Sequence, residues 1–313
     1  MANQDAKALK CLVIGAAGFV GRHLVPQLHA RGYIVTELDP KSHDLMSRRK
    51  FEKWALLQYD YPSATQDTFD LVVHLGANIK NIDARMHQGI SAFEDLLLDY
   101  EVCKWVELTK PKCFIAMSSC AVDYPEDPYC IVKRTLEAMC LMLHKQSINV
   151  KILRPFSGYG YDQTLQYPFP SILKRAVELQ DPLTVWGGTQ VRDWLHIEDL
   201  VEGILYSIDN FPSGQPVELG LCKGINFIGL AALIASAVNK SIADNAEANT
   251  LYEDYSPVIK GDLSKASSSN YRVAGSNSDV PIGQHFGWVP KISLEEGIRI
   301  ELDKLFIFDV TTR

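Results

Sequence analysis

Long apolar runs are missing from this 313-residue chain: the most apolar stretch, Phe227 to Val238, covers 12 residues and includes Ser236, whereas a membrane-spanning helix needs about 20. No transmembrane helix and no membrane partner are expected. The N-terminus also lacks a secretory core, because Asp5, Lys7 and Lys10 lead into an apolar run that stops at Gly15 without a small-residue cleavage site. A cytoplasmic location is the resulting expectation. Basic excess is absent too: 31 Lys+Arg face 38 Asp+Glu, a formal charge of -7, so a nonspecific hold on nucleic acid is not expected and any phosphate must be recognised locally. The 7 cysteines are odd in number and include no CxxC pair; all but Cys120 read as buried thiols, and no metal site is expected. Repeats and low-complexity segments are lacking. With 47% hydrophobic, 22% charged and 10% aromatic residues, the chain has the composition of one large or two modest globular domains.

What is present is alternation. Short apolar runs at Cys11 to Ile14, Tyr33 to Leu38, Ala55 to Tyr59, Leu71 to Leu75, Cys113 to Met117 and Val150 to Leu153 read as strands. Ser91 to Leu108 and Ile131 to Leu143 carry apolar residues at helical spacing. Strands alternating with helices predict an α/β fold with a doubly wound parallel sheet. After Arg154-Pro155 the texture changes, with Pro155, Pro168, Pro170 and Pro182 interrupting the pattern. Helices are predicted at Ser171 to Leu179, Asp199 to Ile208 and Gly229 to Val238, a short strand at Val217 to Leu219, and a surface loop at Gly261 to Asp279.

Gly15, Gly18 and Gly21 follow the first strand and open a helix through Phe19 and Val20. Glycine permits a tight turn and close approach of a diphosphate, and the helix N-terminus offers N–H groups and partial positive charge. The spacing is GxxGxxG, which a tight turn with close strand-to-helix packing also produces. Asp39 ends the second strand 18 positions after Gly21, near the offset at which an acidic residue meets the adenosine ribose. Its carboxylate would accept both ribose hydroxyls and repel a 2'-phosphate, which favours NAD over NADP. Lys41, Arg48 and Arg49 stand close by and offer the opposite preference. Asp60, after the third strand, is the candidate for the adenine edge or simply a turn residue.

Asp127-Pro128 reads as an N-cap and first helical residue. Tyr129 then lies in the first turn, with Lys133 at i+4 on the same face. A phenol with a pKa near 10 is a poor base at neutral pH, and lowering it by about three units takes roughly 4 kcal/mol. A neighbouring ammonium and a positive nicotinamide ring could supply that stabilisation. A surface Tyr and Lys are the alternative.

In order along the chain, GAAGFVG at 15 to 21, Asp39, FDLVVHLGAN at 69 to 78, MSSCAVDY at 117 to 124, PYCIVK at 128 to 133, LRPFSGYG at 153 to 160, VRDWLHIEDL at 191 to 200 and FGWVPKISLEEGI at 286 to 298 resemble the extended short-chain dehydrogenase/reductases, specifically the NAD-dependent epimerase/dehydratase family acting on nucleotide sugars. The resemblance implies a Rossmann-type NAD-binding domain at 1–158, to which 199–222 returns, and a smaller C-terminal α/β substrate domain at 159–198 and 223–313. It implies Tyr129 as acid/base and Lys133 on the nicotinamide ribose. Leu75, Gly76 and Ala77 join the glycine turn in holding the cofactor. The substrate would be a nucleotide-diphosphate sugar, gripped by Arg192, with Ser157 and Arg272 as further contacts and Asp193 and His196 bracing the Arg192 loop. A homodimer through the two helices flanking the fifth strand is implied as well.

This sequence departs from the family in several places. Ser157 stands where Asn is common, and Gly275 where an acidic residue usually follows Arg272. The hydroxyl that relatives place four residues before the Tyr of their VYG segment is here Cys120, preceded by Ser118 and Ser119. The thiol either acts as a second acid/base or packs as an apolar group while a serine supplies the hydroxyl. Nine positions separate Cys120 from Tyr129, fewer than in relatives, and Ala121 and Val122 replace the Asp-Glu pair of the dehydratases, which counts against water elimination. An epimerase is the leading expectation. A reductase or epimerase-reductase using NAD(P)H is the first alternative, and a non-catalytic dinucleotide-binding scaffold or sensor the second.

Overall fold

The computed structural model describes residues 8–38, 69–77, 89–123, 128–160, 162–244, 255–265, 273–276 and 279–311. The chain forms two compact units: Met1–Pro155 with Val201–Glu218 and Gly283–Trp288, and Phe156–Leu200 with Leu219–Ile282 and Val289–Arg313.

In the first unit, strands β1 (Lys10–Ile14), β2 (Ile34–Leu38), β3 (Leu71–His74), β4 (Cys113–Met117) and β5 (Val150–Pro155) and a later strand, Pro216–Leu219, form one sheet. The order is β2-β1-β3-β4-β5 followed by the late strand, and the first five strands pair in parallel. The α/β doubly wound reading of the sequence holds. Every residue of β3 and β4 is buried, as expected of a parallel sheet covered on both faces, where strands read as continuous apolar runs. The connections are helices α1 (Phe19–Ala30), α2 (Gly89–Thr109) and α3 (Pro128–Lys145). The core between sheet and helices is filled by Val72, Phe114 and Ile152 from strands and Trp105, Val106 and Leu136 from helices. The strand read at Ala55 to Tyr59 lies outside the described residues.

The second unit contains β6 (Ser157–Tyr159), α4 (Pro168–Val177), β7 (Leu183–Trp186) and β8 (Val191–His196). Helix α5 (Ile197–Asn210) carries the chain back to the first unit and β9, the late strand just described. Then β10 (Gly224–Asn226), α6 (Phe227–Asp244), β11 (Ile259–Asp262) and α7 (Leu294–Thr311) follow. A three-stranded sheet has the order β10-β8-β6 and a two-stranded one pairs β11 with β7. Helices α4, α6 and α7 pack around an aromatic cluster of Tyr159, Phe169, Trp194 and Phe227. The apolar stretch noted in the sequence extends to the 18 residues of α6, which by length and composition could cross a membrane. Its Leu230, Ala231, Ile234 and Val238 are instead buried in the core of this unit.

The expected loop at Gly261 to Asp279 is corrected at its start, where Gly261 and Asp262 complete β11 beside Val185 and Trp186. One cysteine also departs from expectation. Cys222 is only partly buried, at φ 60° in the turn beyond β9, whereas Cys120 is buried with the other five.

Candidate active site

The first turn is built by glycines that nothing larger could replace. Gly15 has φ +88°, and a Cβ there would stand 2.9 Å from the Gly76 nitrogen. A Cβ on Gly21 would lie 2.3 Å from the Ala16 carbonyl oxygen. The turn is tied to the sheet, because Gly15 N–H donates to the Leu38 carbonyl at 2.8 Å and Leu75 N–H to Ile14 at 2.8 Å. The carboxyl ends of β1, β2 and β3 thereby converge, the position at which open α/β sheets bind ligands. Helix α1 starts at Gly18 without a side-chain cap and without an acidic residue in its first turn. Its positive end is open to an anion, and the dinucleotide phosphates expected from the sequence fit it. Phe19 and Val20 are half-buried in that first turn, as are Leu75 and Ala77 after β3. Asp39 and Asp60 lie outside the described residues.

The second element is the start of α3. Pro128 opens the helix as expected, and Tyr129 and Lys133 share a face, with the Lys133 Nζ 5.8 Å from the Tyr129 ring centroid. Lys133 is buried and its ammonium donates to the Met117 carbonyl at 2.9 Å. That carbonyl ends β4, so the strand and the helix hold the cation together.

Ser118, Ser119 and Cys120 follow at once, and the structure separates them. The Ser118 hydroxyl is buried and donates to Glu137 Oε1 at 2.5 Å. The Ser119 oxygen is half-buried and accepts the Ala121 N–H at 3.1 Å. Cys120 is buried at the start of a 3-10 turn, Cys120–Asp123. Glu137 also receives Arg154 Nε at 2.7 Å and Nη2 at 2.6 Å. Burial works to lower the Arg154 pKa, but the hydrogen bonds and charge of Glu137, with Asp123 and Glu218 beyond, outweigh it and raise the pKa. Neither Glu137 nor Arg154 was singled out in the sequence. The available signal was spacing, since Glu137 stands four residues after Lys133 on the same helical face.

The second unit holds the remaining candidates. Arg192, on β8, is largely buried, its Nη1 donating to the Val191 carbonyl at 2.8 Å and its guanidinium 5.4 Å from the Phe227 ring centroid. Asp193 braces the neighbouring turns by accepting N–H bonds from Leu221, Cys222 and Ala274 at 3.0, 2.9 and 3.1 Å. Ser157 pairs in register with Trp194 on β8. Arg272 lies outside the described residues. Among the described residues no cluster of His, Cys, Asp or Glu has a metal-binding arrangement.

Comparisons with known proteins place the chain in a family. The sequence pattern of the NAD dependent epimerase/dehydratase family matches residues 11–220. UDP-glucuronic acid decarboxylase 1 of Arabidopsis thaliana is 24% identical over 318 residues, covering 93% of this chain and 68% of the relative. GDP-L-colitose synthase of Yersinia pseudotuberculosis is 22% identical, covering 93% of this chain and 96% of its own. The UDP-glucose 4-epimerase of Thermotoga maritima, solved with UDP-glucose, superposes with a TM-score of 0.76 at 18% identity, covering 96% of this chain and 99% of that one.

Proposed function

Because this chain belongs to the NAD dependent epimerase/dehydratase family, we propose that it is a nucleotide-sugar epimerase working through Tyr129 and Lys133. The observation that carries the reading is the Lys133 ammonium held beneath the Tyr129 ring by the Met117 carbonyl, a buried cation beside a phenol. A bound dinucleotide supplies a hydride acceptor and donor at the carbon bearing the reacting hydroxyl. With the dinucleotide bound, Tyr129 would take the proton of that hydroxyl during the oxidation and Lys133 would stabilise the resulting phenolate. Once the sugar has presented its other face, Tyr129 would return the proton to the same oxygen. Atoms and electrons are conserved over the cycle, and the products differ only in configuration. Ser119, half-buried beside Cys120, is the hydroxyl assigned to orient the sugar oxygen, and Arg192 the group assigned to the diphosphate.

Asp39 supports NAD as the cofactor over NADP, through like-charge repulsion of a 2'-phosphate. A homodimer accompanies the reading: Phe93, Leu97, Tyr100, Ile131 and Met142 on α2 and α3 are exposed, an apolar face that a second copy would cover. Cys120 favours the second reading, an epimerase-reductase, because its thiol is a group able to move a proton.

Incubating the protein with UDP-, GDP- and dTDP-sugars and following products by NMR tests the proposal. Exchange of sugar isomers with NAD retained supports it. Stoichiometric consumption of NADPH would replace it with the reductase.

A further inference from the structure

Behind the Tyr129–Lys133 pair lies an ionic network centred on the buried Glu137. Glu137 is buried, and its carboxylate accepts the Ser118 hydroxyl at 2.5 Å and two Arg154 nitrogens at 2.7 and 2.6 Å. Burying such a pair is costly, and an apolar pair of similar volume is often as stable. Its partners, however, hold a single stretch of chain. Ser118 is fixed twice, at Oγ by Glu137 and at its N–H by the Leu153 carbonyl at 2.8 Å. The residue before it, Met117, offers the carbonyl on which Lys133 Nζ rests. At the other end of the turn, Arg134 Nη1 donates to the Val122 carbonyl at 2.9 Å and Arg154 Nη1 lies 4.0 Å from Asp123 Oδ1. Ser119 and Cys120 sit between the two fixed ends.

We propose that Glu137 and Arg154 are positioning residues for the reacting pair, acting through Ser118 and the Met117 carbonyl to set where the Lys133 ammonium stands beneath Tyr129. The inference rests on the proposed acid/base role of Tyr129. It also removes Ser118 as the hydroxyl that meets the sugar, since its proton is already given to Glu137, and it leaves Ser119 and Cys120 as the groups the network presents. Glu137 touches no reacting atom in this scheme. Its effect reaches Tyr129 through the distance between phenol and ammonium, on which the phenol's readiness to lose a proton depends.

The test reads the Tyr129 phenol directly, by ultraviolet difference titration of each variant against the same variant carrying Tyr129→Phe. Three changes are compared. Glu137→Leu with Arg154→Met removes both halves of the ion pair together, Ser118→Ala removes the link alone, and Glu137→Gln keeps an acceptor for Ser118. Tyr129 is expected to titrate higher by about half a unit or more in the first two, and to remain near the wild-type value in Glu137→Gln. Native alkylation of Cys120 by iodoacetamide should accelerate roughly fivefold or more in the first two, as the turn opens locally. If Tyr129 titrates as in the wild type in both while only the melting temperature falls, the network is structural and the proposal is overturned. Should the double variant fail to fold, Ser118→Ala decides by the same readings. No sugar nucleotide enters these measurements. Shifted Tyr129 titration with no turnover on the sugar panel would therefore overturn the epimerase reading alone, and the converse result would overturn the positioning role alone.

Discussion

His196 Nε2 lies 2.9 Å from Glu301 Oε1, and both side chains are fully enclosed. The other ring nitrogen, Nδ1, accepts the Glu198 N–H at 3.3 Å, so the ring proton sits on Nε2 and is donated to the carboxylate. Lys304 Nζ, 3.3 Å from the same oxygen, adds a second partner. The end of β8 is thus fastened to α7. Tyr159 completes the joint, its ring edge-on to His196 at 5.3 Å and its hydroxyl so close to α7 that a Cβ on Gly297 would stand 1.9 Å from it. His196 has a structural task, and replacing it should act on stability.

His196→Ala is therefore expected to lower unfolding free energy by about 3–5 kcal/mol, because it strips a buried carboxylate of a hydrogen-bond partner. Urea denaturation measures this. NAD affinity of the folded variant should be unchanged, and a large loss of NAD binding in a stably folded protein would contradict the assignment.

Tyr129→Phe should abolish turnover, by a factor of about a hundred or more if general acid/base transfer is lost, while NAD remains bound. Lys133→Met should lower turnover and NAD affinity together, since one ammonium serves phenol and ribose. Isothermal titration with NAD beside the isomer-exchange assay separates the two. Near-normal exchange by Tyr129→Phe would remove the phenol from the chemistry.

Much of this was legible in the sequence, for reasons that differ by element. Leu71 to Val73 and Cys113–Met117 are continuous apolar runs between helical periods, and α3 declares itself by Pro128 and the recurrence of Val132, Leu136 and Cys140. The glycine turn and the Tyr129–Lys133 spacing are local patterns, so they could be read in order. Strands β6 and β10, of three residues each, are too short for a period to show. β8 reads as a motif but not as a strand, because Arg192, Asp193 and His196 break its apolar alternation, and Asp193 and His196 are buried by partners distant in sequence. The same reason hid the Ser118 link to Glu137 and Arg154. Hydrogen bonds across 19 and 17 positions leave no spacing rule to read.

Arg192→Ala is expected to weaken nucleotide-diphosphate binding by about 2–5 kcal/mol if the diphosphate is largely desolvated, and Arg192→Lys should recover only part of it, since the planar fork is lost. Titration with UDP as the probe measures both. Unchanged UDP affinity in Arg192→Ala would assign the diphosphate to another group.

Stability should fall above pH 9. Burial is the main cause that pushes the Cys113 thiol up to about 11, with nearby Lys151 opposing and Asp209 reinforcing the shift. Burial pushes the Cys11 thiol higher still, with Cys113 adding to it. In the unfolded chain these thiols ionise near the ordinary value of 9.0, so each contributes stability that is fully present below that pH and is lost as pH rises through the folded value. For Cys113 the loss is about 2–3 kcal/mol by pH 11. Urea midpoints from pH 8 to 11 should fall less steeply for Cys113→Ala than for the wild type. Parallel curves would show that other groups govern the alkaline limit.

The last expectation concerns Ser119 and Cys120, which occupy adjacent positions with different surroundings. Cys120 is buried and opens the 3-10 turn, whereas Ser119 is half-buried and its oxygen accepts the Ala121 N–H, leaving its own proton to be donated. A thiol is a weak donor, so orienting a sugar oxygen suits Ser119 better. As an acid/base the ranking reverses, since a thiol gives up its proton more readily than an aliphatic hydroxyl. Single substitutions separate the two tasks. If Ser119 orients the sugar and Cys120 packs, Ser119→Ala should lower kcat by tenfold or more, about 1.4 kcal/mol or greater, while Cys120→Ala keeps most of the activity. If the thiol moves a proton, Cys120→Ala should lose activity that Cys120→Ser restores only in part. That outcome would favour the epimerase-reductase, because a second acid/base beside Tyr129 could take the C–H proton from a carbon next to a ketone and a proton could then return on the other face.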